Sequence, residues 1–331
     1  MTVDPSPRVT RRLIPIGLGL LVAALYLPPV VSVGLRTDLG AHLLFAQQFD
    51  VSGSALGPYY LFHQVTIIVR TLIPFSALGV LVPAATGRQA TWEIAGVATM
   101  VGAVVLAAEL IYFRLLTVPG ARGIRAPGWT QAGAAVGLVL VAPITISTWA
   151  NQQLVVGYVN TTMFDGPTNA MLKPFALLLF WFIVDRMDVG PTRRRDVWIC
   201  AALSVLAWHA KPSFTVCLVP ALAMYAAVCA LRGRSVALRF LGVGFLLPSA
   251  VVAVVLTAGF AGDGGLALDP LAVVGDALAQ RGLPVAMFAP LLVASCAFPI
   301  AVAVVHRRKL ATSSSLVLAW LVFGVGAAQY Y

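Results

Sequence analysis

A carboxylate and an imidazole four residues apart share one face of a helix, and such a pair can accept and return a proton. Asp38 and His42 stand in that relation within Leu35-Arg36-Thr37-Asp38-Leu39-Gly40-Ala41-His42-Leu43-Leu44-Phe45-Ala46, where Leu35, Leu39, Leu43 and Ala46 form an apolar stripe on another face. The pattern describes an amphipathic helix lying in a membrane interface with an acid and an imidazole presented together. It is equally that of an N-capping aspartate followed by a solvated histidine. Lys173 and Lys211 form a second group, each flanked by long apolar runs. A cation in that setting must snorkel to an interface or find an anionic partner, and a lipid phosphate would serve. Arg70 lies inside an apolar run, where a functional role is the default expectation. His63, Glu109 and His209 suit pairing with polar groups inside a helix bundle better than catalysis.

The elements that must position these side chains are membrane helices. The chain has 331 residues, of which 60% are apolar and 10% charged, and its mean hydropathy is +0.92. Soluble domains carry about 25% charged residues. Apolar runs long enough to cross a hydrocarbon core of about 30 Å recur at 13–34, 58–84, 92–114, 131–149, 170–187, 196–210, 213–231, 237–260, 285–305 and 311–331. The expected fold class is therefore all-α, a polytopic transmembrane bundle of about ten spans with the amphipathic helix in the first outer loop. Residues 1–331 read as a single transmembrane domain. Its end at Gln329-Tyr330-Tyr331, without a polar tail, reads as the N-terminal part of a longer chain.

The formal net charge of +10 resides in short basic clusters between apolar runs. That is the distribution of cytoplasmic anchoring loops, and it argues against a nucleic-acid partner. Arg8, Arg11 and Arg12, then Arg193 to Arg195, then Arg232, Arg234 and Arg239, and finally Arg307, Arg308 and Lys309 mark cytoplasmic ends. Segments 35–57, 150–169 and 261–284 then face outward. Arg114, Arg122 and Arg125 conflict with that scheme unless the stretch around Pro74 and Pro83 is broken or re-entrant. Cys200, Cys217, Cys229 and Cys296 lie in apolar segments without metal-ligand spacing, so they read as small core residues.

Asp38 in a first outer loop, just after the first span and leading into a juxtamembrane helix, resembles the GT-C superfamily of integral membrane glycosyltransferases. The pattern Asp38-x-x-x-His42-x-x-x-Ala46 is similar to the version in many bacterial members. A second segment runs Tyr158-Val159-Asn160-Thr161-Thr162-Met163-Phe164-Asp165-Gly166-Pro167-Thr168-Asn169 and continues to Leu172-Lys173-Pro174-Phe175. It resembles an outer-loop stretch often written His-Asn-Pro-Thr and then Lys-Pro-Phe, with Asp165 and Gly166 standing here for His and Asn. Ala210-Lys211-Pro212-Ser213-Phe214 is a third similar element, and together the three cover the first two thirds of the chain.

The resemblance implies a polyprenyl-phosphate-linked sugar as donor, a glycan or lipid acceptor, and a plasma-membrane enzyme with its active site on the extracytoplasmic side. Asp38 would be the general base, with His42 orienting or binding the acceptor. Lys173, Lys211, Asn160, Asp165, Arg36 and Asn169 would hold donor phosphate and substrate. In some members the loop aspartate is a metal ligand, so Mg2+ or Mn2+ at Asp38 is the one cofactor implied, and no dedicated metal site is expected. A polysaccharide polymerase is the nearest alternative. A multi-pass transporter or flippase of envelope precursors is the alternative from another class, and a purely structural subunit is the third.

Overall fold

The computed structural model describes residues 7–32, 35, 38–52, 61–73, 84–117, 128–140, 166–187, 192–259, 284, 286, 290, 293, 296–310 and 312–330. All regular structure among them is helical. Among the described residues five helices are long and apolar enough to cross a membrane: Leu13–Ser32, Gln89–Thr117, Pro167–Met187, Ser213–Leu231 and Leu238–Val255. Other expected spans are shorter among the described residues. The run 58–84 is helical over Leu61–Leu72 and 285–305 over Ala297–Val305. The run 196–210 becomes Arg194–Ala210, 17 residues whose first turn carries Arg194, Arg195 and Asp196. Contacts gather the chain into two units, residues 1–142 with 161–177 and residues 143–160 with 178–331.

The first unit contains α1 (Pro7–Ser32), α2 (Asp38–Ser52), α3 (Leu61–Leu72), α4 (Ala84–Thr117) and α5 (Gly128–Leu140), with the start of α6 (Pro167–Met187). α1 buries Ile14, Leu18, Val22, Tyr26 and Val30, one residue per turn, while Ile16, Leu20, Leu21 and Leu25 on its other sides are exposed. A helix that is apolar all round has lipid for one of its neighbours. α4 is the element that the others share: α1, α2, α3 and α5 all pack on it. A methyl added at Gly19 would meet Val105 at 3.3 Å, and one added at Gly128 would meet both Ile14 and Tyr112. Ile14 therefore lies level with Tyr112 and Gly19 with Val105, so α1 and α4 run antiparallel.

α4 has 34 residues, about 51 Å at 1.5 Å per residue, so its N-terminal turns extend past the end of α1. There α2 and α3 pack. Gly96 of α4 makes room for α2: a methyl at that position would lie 2.5 Å from Leu43 Cδ2. Small residues at helix contacts, Ala95, Ala103, Ala107 and Ala108 among them, allow this close approach.

The second unit holds the rest of α6, then α7 (Arg194–Ala210), α8 (Ser213–Leu231) and α9 (Leu238–Leu241). α9 passes through a π turn (Gly242–Leu246) into α10 (Leu247–Gly259), and α11 (Ala297–Val305), α12 (Arg307–Leu310) and α13 (Ser314–Tyr330) follow. α8 closes on Gly233, whose φ of 66° places it in the left-handed region. Arg234 N donates to Cys229 O at 2.8 Å and Gly233 N to Ala230 O at 3.0 Å, the bonding of a glycine-terminated helix end. Arg232 and Arg234 line one cleft with Thr312 and Ser314, so the end of α8 and the start of α13 lie at the same end of this unit.

Candidate functional site

The site begins where α1 ends. Asp38 is the first residue of α2, six positions beyond Ser32, and a carboxylate in a first turn is favoured by the unpaired N–H groups there. The expected apolar stripe forms, with Leu39, Leu43 and Ala46 buried. The opposite side of α2 is not uniformly polar, because Leu44, Phe45 and Val51 are exposed beside Gln48 and Asp50. Asp38 and His42 do share a face: His42 Nε2 lies 3.6 Å from Asp38 Oδ2, with the carboxylate 42% exposed and the imidazole 13%. That separation is a close electrostatic approach, longer than a hydrogen bond.

His63, expected to pair with a polar group inside the bundle, meets His42, a partner that local spacing does not name. His42 Nδ1 and His63 Nε2 are 2.8 Å apart, and His63 is fully buried. The Asp50–Arg70 pair, with Oδ2 and Nη1 2.7 Å apart, repeats nearly the same sequence offset about two turns on. Two such contacts fix α2 and α3 as parallel neighbours. Arg70 also covers the Trp92 ring of α4 at 4.5 Å, a cation–π contact that holds its guanidinium between carboxylate and indole. Gln47 Nε2 donates to Gln89 Oε1, and Gln89 Nε2 to Glu93 Oε1, both at 3.2 Å.

These contacts give α3 an inverted character. His63, Thr66 and Arg70 follow at three and four residues, so they share one face. That polar face points inward: His63 and Thr66 are fully buried, and Thr66 Oγ1 has no hydrogen-bond partner among the described residues. Ile68 and Leu72 point outward, 58% and 75% exposed. A helix with polar residues inside and apolar residues outside is suited to lipid rather than water on its outer face. Nitroxide labels at positions 68 and 72 in bilayer nanodiscs should collide readily with oxygen and poorly with a water-soluble nickel chelate. The reverse ranking would show that α3 faces water.

Because Asp50 and Arg70 are each about a third exposed, their coupling should be modest. A double-mutant cycle with Asp50→Asn and Arg70→Met, read by thermal unfolding in detergent, should return about 0.2–1 kcal/mol. A value near zero would show that the pair only decorates the surface.

Among the other expected site residues, Arg36, Asn160 and Asp165 lie outside the described residues. Asn169 and Lys173 stand four apart on the first turns of α6, on one face of it. The segment before them starts a helix: Gly166 has φ 80°, Pro167 occupies the first helical position, and Gly166 O accepts from Asn169 N and Ala170 N at 2.9 and 3.1 Å. Asn169 also packs over Gly166, where an added methyl would lie 2.6 Å from its Nδ2. Lys211 belongs to the second unit, at the corner between α7 and α8. Its extended backbone, φ −170°, follows from the proline after it, and Pro212 O accepts from Val216 N at 3.0 Å and Thr215 Oγ1 at 2.9 Å.

No family of proteins, no curated protein and no solved structure matches the chain. Among the described residues no group of three or more His, Cys, Asp or Glu could hold a metal ion. Mg2+ and Mn2+ want several oxygen ligands. Asp38 offers one carboxylate beside two imidazoles, while Asp50 is engaged by Arg70. That donor set does not hold such an ion by itself. What the arrangement can do is take up and release a proton at a partly exposed carboxylate backed by an imidazole pair.

Proposed function

We propose that this chain is a membrane glycosyltransferase of the GT-C kind, about ten spans in all, that transfers a sugar from a polyprenyl-phosphate donor to a glycan or lipid acceptor. The observation that carries the reading is Asp38 with His42 Nε2 at 3.6 Å, six residues beyond the end of an apolar helix long enough to cross a bilayer. A donor whose lipid tail lies in the membrane presents its anomeric carbon at that depth. The acceptor hydroxyl is a poor nucleophile until a base takes its proton, and a carboxylate held beside the membrane end is a suitable base. Asn169, Lys173 and Lys211, with Arg36, Asn160 and Asp165, are the candidates for the donor phosphate. Arg8, Arg11 and Arg12 before α1 favour a cytoplasmic placement for that end of the helix and an extracytoplasmic one, at the plasma membrane, for Asp38 beyond its other end; the clusters at Arg193 to Arg195, Arg232 to Arg239 and Arg307 to Lys309 favour the same side for Lys211 at the far ends of α7 and α8.

The test is transfer by the purified chain in liposomes from a radiolabelled polyprenyl-phosphate sugar to extracted envelope glycans and lipids. Formation of a base-stable glycosidic bond is the expected result. A different class of function is favoured by one feature, the buried polar face of α3 with His63, Thr66 and Arg70, since transporters line their paths this way. Movement of lipid-linked sugar across the same liposomes, with no bond made, would establish that reading instead.

A further inference from the structure

The histidine pair has a direction built into it. Asp38 Oδ2 faces His42 Nε2 at 3.6 Å, and His63 Nε2 meets His42 Nδ1 at 2.8 Å. An ionised carboxylate only accepts, so a lone pair on His42 Nε2 would oppose it, whereas an N–H there is attracted. With the proton on Nε2, neutral His42 carries its lone pair on Nδ1, and the short contact requires His63 to donate its Nε2–H. The two rings are boxed by Phe45 and Phe62, whose centroids lie 6.0 and 6.2 Å from that of His42 and 6.3 and 6.1 Å from that of His63, all edge-on. Water therefore has little access to the contact, and an imidazole buried there must satisfy its neighbour directly. The charged groups nearest this pair along each packed helix are Asp38 and Asp50 on α2, Arg70 on α3, which is matched to Asp50, and Glu93 on α4, which accepts from Gln89.

We propose that His63 is a positioning residue that locks the tautomer and ring orientation of His42, donating Nε2–H to its Nδ1 so that His42 presents Nε2–H to Asp38. The catalytic use of Asp38 rests on the function proposed above; the tautomer lock does not. A residue in this supporting position sets how well the reacting pair is aimed without touching substrate.

The experiment is 15N solid-state NMR of ring-labelled histidine in the full chain, reconstituted in liposomes at a pH where both rings are neutral, compared with His63→Gln and His63→Leu. The expected result is protonation of His42 at Nε2, with Nδ1 shifted by an accepted hydrogen bond. Gln, whose amide donates from nearly the same place, should preserve that signature. Leu should abolish it and broaden the His42 ring signals. Protonation of His42 at Nδ1 in the native chain, or His42 signals unchanged in His63→Leu, would overturn the proposal. Should His63→Leu fail to fold, the native spectrum and His63→Gln still decide. In the transfer assay, His63→Leu should lower kcat by about 10- to 100-fold with KM nearly constant, and His63→Gln should recover most of it. A native chain that makes no glycosidic bond yet shows the tautomer would remove the glycosyltransferase reading and leave the lock standing.

Discussion

Asp38→Asn should insert, purify and unfold close to the native temperature, yet transfer sugar about 10²- to 10⁴-fold more slowly, the usual loss when a general base is removed. The separation of effects follows from where the residue sits. Its carboxylate is 42% exposed, in the first turn of α2, so it buries little and breaks no packed core. Asparagine keeps the side-chain shape and can still accept from first-turn N–H groups, leaving about 0.3–1 kcal/mol of charge interaction with the helix end to be lost. His42→Ala should slow transfer less, because the role proposed for the imidazole is to orient or bind rather than to abstract. The measurement is single-turnover transfer beside a thermal melt in detergent. Native turnover by Asp38→Asn would remove Asp38 from the reaction.

A single methyl at Gly40 should do nearly as much harm by a different route. An added Cβ there would lie 2.6 Å from the carbonyl oxygen of Leu35, well inside contact distance. A backbone oxygen cannot swing aside as a leucine methyl can, so the turn at Leu35 or the first turn of α2 must move. Alanine gains up to about 1 kcal/mol over glycine within a helix, but overpacking typically costs about 1–3 kcal/mol, and the clash should win. Displacement of α2 also carries Asp38 with it, and a shift near 1 Å can cost about 10²-fold in rate. Gly102→Ala is the control, because nothing lies within 4 Å of a methyl at that position. The expected ordering is a lower melting temperature and slow transfer for Gly40→Ala, with Gly102→Ala native or slightly more stable. Equal stability and activity for the two variants would mean that the approach of Leu35 to Gly40 is not a constraint.

How much of this was readable beforehand depended on distance along the chain. Asp38 and His42 share a face because four residues make about one helical turn, and local spacing carries that information. His63 is 21 positions from His42, and their meeting requires α2 and α3 to run parallel in one register, which no local pattern encodes. The signal was present in weaker form: His63, Thr66 and Arg70 recur at helical spacing within an apolar run, and a polar stripe there points inward when lipid lies outside. In the run 58–84 the described helix is Leu61–Leu72, and hydropathy alone does not mark where a helix starts or stops. The opening of α6 was taken for a ligand motif, while Gly166 with φ 80° followed by Pro167 also makes it a helix start.

The π turn at Gly242–Leu246 has a consequence for how this stretch tolerates change. In an uninterrupted α-helix each residue advances by 100°, so Leu241 and Ser249 would end about 80° out of phase. Both are buried, as is Phe245 between them. A turn that closes its bonds one residue further along absorbs most of that mismatch and lines the three up. Gly244 sits inside this turn, where an added methyl would lie 3.2 Å from both Cys200 Cβ and the Val197 carbonyl oxygen. Deleting one residue here would convert the wide turn into ordinary helix at little expense in hydrogen bonds and would keep everything from Leu247 onward within about 20° of its phase, whereas a deletion in the helix that follows would rotate its remainder by about 100°. Substitutions along this helix are tolerated or not by size. Insertions and deletions are judged by phase, and the π turn is the place where that phase is set.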